Sequence, residues 1–142
     1  MITKLLFYKN DYLEKNNAHI GLLLLRIFAG LSMAFAHGVG KIPPTDGFVG
    51  FVTSLGLPAP YIMAWMAGIT EFVGALLIAV GLLTRPAALG LMGTMAVAAF
   101  IAHGADPFAK KELALLYFFV FLAIFLIGPG KFSLDSRLMV KR

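Results

Sequence analysis

Residues 61–83 read YIMAWMAGITEFVGALLIAVGLL, a run whose one charged side chain is Glu71. A helix of about 20 such residues crosses the roughly 30 Å of hydrocarbon in a bilayer. Three more runs, about 19–38, 86–103 and 113–129, have the same character. Inside lipid every backbone N–H and C=O must be bonded within the structure, and a helix achieves this within one segment. The expected fold is therefore all-α: an integral membrane four-helix bundle with short loops. Composition agrees, because 13% of the chain is charged against about 25% in soluble domains.

The breaks between runs carry turn chemistry: Pro43-Pro44, Pro58 with Pro60, Thr84-Arg85-Pro86, Asp106-Pro107 and Gly128-Pro129-Gly130. Thr84-Arg85-Pro86 leaves almost no loop, which predicts a tight antiparallel hairpin of the second and third spans. The 43–60 connection, PPTDGFVGFVTSLGLPAP, is too apolar for a free loop and too short to cross, so it is expected at the interface or re-entrant. Residues 1–18 are too polar for a signal-peptide core and read as an interfacial segment. The bundle then occupies 19–130, and 131–142 form a basic tail.

Lysine and arginine set the orientation. Lys4, Lys9, Lys15, Arg85, Lys131, Arg137, Lys141 and Arg142 fall on one side, and Lys41, Lys110 and Lys111 on the other. This predicts a multi-pass protein of the cell (inner, cytoplasmic) membrane with both termini cytoplasmic. The same distribution argues against nucleic acid, since the positive charge follows membrane topology rather than one binding face. With no cysteine, the chain has no disulfide, no thiolate nucleophile and no cysteine-held metal centre.

Charged groups inside a span are costly, so each is a candidate functional residue with a partner to be found. Arg26 and Glu71 differ in expected depth by on the order of 5 Å at 1.5 Å rise per residue, which predicts an Arg26–Glu71 pair near the midplane. His37 and Lys41 end the first span, His103 ends the third, and Glu112 begins the fourth. All four are expected in one outer layer, with Trp65, Tyr61 and Tyr117 close in depth. Solvated span ends and an aromatic belt are the plain alternative for each residue taken alone. Phe28, Phe35 and Phe100 are further candidates for an apolar slot. Gly30, Gly38, Gly68, Gly74, Gly81, Gly90 and Gly93 read as close-packing positions between helices. His19 is expected at the inner interface.

Haem or a metal on His37, His103, Glu71 and Glu112 is disfavoured, because no H-x-x-x-H or E-x-x-H spacing lies on one helix. Met33, Met63, Met66, Met92 and Met95 read as packing residues rather than copper ligands. FAHG (35–38) and IAHG (101–104) form a faint echo at the ends of two outward-running spans, at a level that chance also produces.

Three stretches, LLRIFAGLSMAFAHGVGK (24–41), GLPAPYIMAWMAGITEFVGALLIAVGLLTR (56–85) and ELALLYFFVFLAIFLIGPGKFSLD (112–135), resemble the DoxX/DoxD-like family of small four-span membrane proteins. The resemblance covers about residues 20–138, and Arg26, His37, Lys41, Glu71, His103 and Glu112 match its polar positions. It implies quinone-linked redox chemistry, as in the small subunit of a thiosulfate:quinone oxidoreductase, or assembly with a soluble or membrane oxidoreductase. Any sulfur-acceptor chemistry would then belong to a partner.

These readings converge on a redox-associated subunit that binds a quinone or similar small aromatic. Glu71, His37 and His103 are the expected catalytic proton carriers. Arg26, Lys41, Glu112, Trp65 and Tyr117 are the expected ligand-binding residues. The alternatives are a small-molecule transporter gated at Arg26–Glu71 and a scaffold that docks an oxidoreductase. Whether the chain catalyses alone, and whether it is a monomer or a homodimer, is open at the level of sequence.

Overall fold

The computed structural model describes residues 16–139, all helices and connections. Residues 1–15, most of the expected interfacial segment, and the last three residues lie outside the described part. Helix α1 spans Asn16–Lys41, α2 Asp46–Ser54, α3 Pro60–Val80, α4 Thr84–Ala102, α5 Phe108–Ile127 and α6 Leu134–Met139. Helices α1, α3 and α4 are long and apolar enough to cross a membrane. Helix α5 has 20 residues and matches them in length, but Lys110, Lys111 and Glu112 occupy its first turns.

Local chemistry sets the ends. Pro60 opens α3, where its missing N–H is not needed. Gly81, at φ 72°, closes α3: its N–H and that of Leu82 both return to the Leu77 carbonyl, at 2.9 and 3.0 Å. Thr84-Arg85-Pro86 is the first turn of α4 rather than a loop, so the α3–α4 hairpin turns on residues 81–83 alone. Gly128 and Pro129 end α5. The 43–60 connection contains α2, whose Thr45 side chain accepts the Phe48 N–H at 3.3 Å.

Packing runs in the order α1, α3, α4, α5, with α5 returning against α1. One core joins these four helices, through Met33 and Ala34, Ala75 and Ile78, Ala88 and Leu91, and Phe121 and Ile124. Outside it the chain is inverted relative to a water-soluble protein: Phe28 is 74% exposed, Phe100 64% and Leu116 59%. Phe28, Phe35 and Phe100 thus point outward, as lipid-facing side chains do, and do not line a slot. Met33 and Met95 are core residues.

The glycine reading holds unevenly. A Cβ at Gly30 would lie 2.9 Å from the Ala79 nitrogen, at Gly38 2.6 Å from the Phe72 nitrogen, and at Gly68 2.7 Å from the Lys41 carbonyl oxygen. Glycine therefore sets the close approach of α1 to α3. Gly93 faces open space and Gly74 only ordinary contacts, so neither is a packing requirement.

Candidate functional site

Three π-helical turns interrupt the long helices: Met33–Gly38 in α1, Thr70–Gly74 in α3 and Val97–Ala102 in α4. Such turns insert a residue, re-aim the side chains around it and recur at functional sites. The first holds His37, the second holds Glu71, and these two turns pack against each other. FAHG lies inside the first of these turns, whereas the third ends at Ala102 and leaves His103 outside it, so the echo is not one of local geometry.

Helix α1 ends level with the middle of α3, so Lys41 sits deeper in the bundle than an outer-layer residue. Its Nζ donates to Glu71 Oε2 at 2.5 Å. Glu71 is nearly closed to solvent, with 5% of its side chain accessible, against 28% for Lys41. One further turn back, the His37 ring meets Tyr117 of α5 edge-on at 5.8 Å, and Tyr117 stacks on Phe121 at 5.8 Å. Helix α1 thus presents a cation to α3 and an imidazole to an aromatic pair on α5. Lys41 and His37 stand on the end of α1 and Glu71 on the middle of α3. A carboxylate or an imidazole can exchange a proton with a ligand oxygen, and an ammonium can stabilise charge forming on it.

The expected Arg26–Glu71 pair does not form. Arg26 is fully buried and reaches the opposite end of the bundle, where its guanidinium donates to the Pro129 and Phe132 carbonyls, the latter at 2.6 Å. The reason is side-chain length: the guanidinium passes Gly81, which has no Cβ to block it, and meets the loop that follows α5. Glu71, on the far side of the Gly38 contact, has Lys41 nearer.

His103 and Glu112 are not joined to that site by any described contact. The His103 ring nitrogen Nδ1 lies 2.8 Å from Asp106, which also has Lys110 at 3.7 Å. The hydrogen bond with His103, and then the Lys110 charge, hold the Asp106 carboxyl below the usual aspartate range. Glu112 is exposed, Trp65 is half-buried on α3, and Lys111 donates to the Gly104 carbonyl at 2.9 Å.

The residues that close the other end were not singled out by their chemistry in the sequence. Asp135 accepts the Leu83 and Thr84 N–H groups at 2.9 and 3.0 Å and the Thr84 hydroxyl at 2.8 Å, while its own N–H donates to Gly81. It caps the N-terminus of α4 from more than fifty residues away. Arg85 donates to the Phe125 carbonyl at 3.1 Å, at the C-terminal end of α5. His19, near the start of α1, is buried against the closing segment, and its Nδ1 accepts the Lys131 N–H at 3.2 Å. Ser133, Asp135 and Ser136 are buried as well. The stretch expected as a basic tail, 131–142, begins with residues folded against the bundle. The available signal was GPGKFSLD itself, one acidic residue in a turn-rich stretch beside an apolar helix.

Helices apolar outside and locked by buried charges inside define an integral membrane protein. The DoxX family model matches residues 21–104, and the chain belongs to the DoxX family. Among its relatives is "Inner membrane protein YphA" of Escherichia coli (strain K12), 32% identical over 89% of this chain and 96% of that protein. "Inner membrane protein YqjF" of the same organism is 33% identical over 87% of this chain and 95% of its own length. "Putative oxidoreductase CatD" of Bacillus subtilis (strain 168) is 39% identical, over 46% of this chain and 47% of that protein. No solved structure gives a significant match.

Proposed function

We propose that this chain is a redox-associated subunit of the inner membrane that holds a quinone, or a similar small aromatic, at the Lys41–Glu71 pair. The observation that carries the reading is that pair: an ion pair set on a π-helical turn of α3, with the His37–Tyr117–Phe121 rings on the next helix face. The name of the partial relative from Bacillus subtilis points toward the same class of chemistry. In this reading α5 crosses the bilayer as the fourth span, its charged first turns at the outer surface, and both termini face the cytoplasm.

At the site, Lys41 donates a hydrogen bond to a quinone oxygen and stabilises the charge that reduction places there. Glu71 and His37 exchange the protons. Electrons come from a partner oxidoreductase docked on the chain. The transporter alternative loses its gate, since Arg26 and Glu71 have separate partners.

Trp65 is the single tryptophan and stands about 9 Å along α3 from Glu71 at 1.5 Å per residue. Titration of the purified protein with a short-chain ubiquinone should quench its fluorescence saturably, and Lys41→Met and Glu71→Gln should abolish that phase. A wild-type protein that yields no quinone on solvent extraction and shows no saturable quenching rules the reading out. Should a partner oxidoreductase still co-purify in that case, docking stands as the function.

A further inference from the structure

The Lys41 ammonium has two neighbours. Glu71 lies on one side, and on the other the ring of Phe48 faces it, with Nζ 5.3 Å from the ring centroid. Phe48 belongs to α2, the helix within the connection between the first two spans. Its N–H is fixed by the Thr45 cap, and one turn later on the same face Val52 is buried. Phe51, between them, points away and is 47% exposed. Helix α2 packs on α3, the helix that carries Glu71. On the α1–α3 side the pair is closed by backbone, where Gly38 and Gly68 bring the two helices too close together for a Cβ, while 28% of the Lys41 side chain stays accessible.

The geometry points to Phe48 as the residue that governs access to the Lys41–Glu71 pair. A cation on an aromatic face keeps part of its stabilisation without water, so the ring both shields the ammonium and holds it toward Glu71. A ligand that approaches Lys41 from the α2 side meets the Phe48 ring, which favours flat molecules able to stack there. Phe48 is thus a positioning and specificity residue acting through Lys41. The inference rests on the proposed function only for the identity of what enters.

The test uses the full chain in detergent and a water-soluble amine-acylating reagent, with labelling rates read peptide by peptide by mass spectrometry. Lys110, with 66% of its side chain accessible, is the internal reference. Phe48→Leu should speed labelling of Lys41 about three-fold relative to Lys110, the size of one cation–π contact. Phe48→Tyr, which keeps the ring, and Phe51→Leu, on the outward face, should both label as wild type does. No acceleration in Phe48→Leu overturns the inference. So does an equal acceleration in Phe51→Leu, which would assign the effect to loosening of α2 rather than to the ring. Decylubiquinone should slow Lys41 labelling in the wild type. If it does not while Phe48→Leu still accelerates, the quinone reading fails and the shield stands.

Discussion

Lys41 keeps 28% of its side chain accessible and Glu71 keeps 5%, so the two halves of the ion pair are not equivalent. Removing the carboxylate leaves an ammonium that can turn toward solvent. Removing the ammonium leaves a carboxylate enclosed between helices. Lys41→Met should therefore cost about 3 kcal/mol, the scale for a buried charge stripped of its partner, and Glu71→Gln about 1 kcal/mol, the scale of one hydrogen bond. Reversible unfolding in mixed micelles measures both, and equal losses would contradict the asymmetry. Asp106 gives a pH signature at the same scale. Its folded pKa is depressed, first by His103, so its contribution is present above the unfolded value and lost as pH falls through the folded one. The gap in melting temperature between wild type and Asp106→Asn should be open at neutral pH and close below about pH 4, the ordinary aspartate range.

Between elements, the contact of α1 with α3 is set by glycine, and substitution there tests it. Gly38→Ala would push a methyl into the backbone at Glu71 and Phe72, and overpacking of this kind costs about 1–3 kcal/mol. It should also loosen the Lys41–Glu71 pair, seen as faster labelling of Lys41. Gly93→Ala meets nothing within 4 Å and should match or exceed wild-type stability, because alanine is the better helix former by up to about 1 kcal/mol. A thermal scan of the two variants side by side decides. The contrast also marks what was legible in the sequence. Apolar runs and proline-rich breaks placed the long helices to within a few residues, because hydrophobic length and turn chemistry are local. Gly38 and Gly93 look alike in sequence, and only the packing of a distant helix distinguishes them. Arg26 was recognisable as a buried cation, but its partner was not: depth along the helix favoured Glu71, whereas the side chain extends the other way to carbonyls that carry no sequence signature. The π-turns that aim His37 and Glu71 were equally hidden, since an inserted residue is a tertiary accommodation rather than a preference of MAFAHG or TEFVG.

For the whole molecule, the proposed orientation with both termini cytoplasmic rests on the distribution of lysine and arginine. The chain has no cysteine, so single introduced cysteines report sidedness without background. With intact cells and an impermeant maleimide, Lys110→Cys should be labelled and Lys131→Cys should not until the membrane is opened. The reverse pattern would invert the topology.

The closure of the bundle by the segment after α5 also bears on how the protein is made. Arg26 lies in the first long helix, and its carbonyl partners at Pro129 and Phe132 are 103 and 106 residues further on. During synthesis the arginine enters the bilayer long before either partner exists, and the growing chain carries a bare cation in its first span throughout. A chain that stops at Ile127 contains all four long helices yet never satisfies that cation. Only a chain that extends past Phe132 can supply both of these carbonyl acceptors to Arg26.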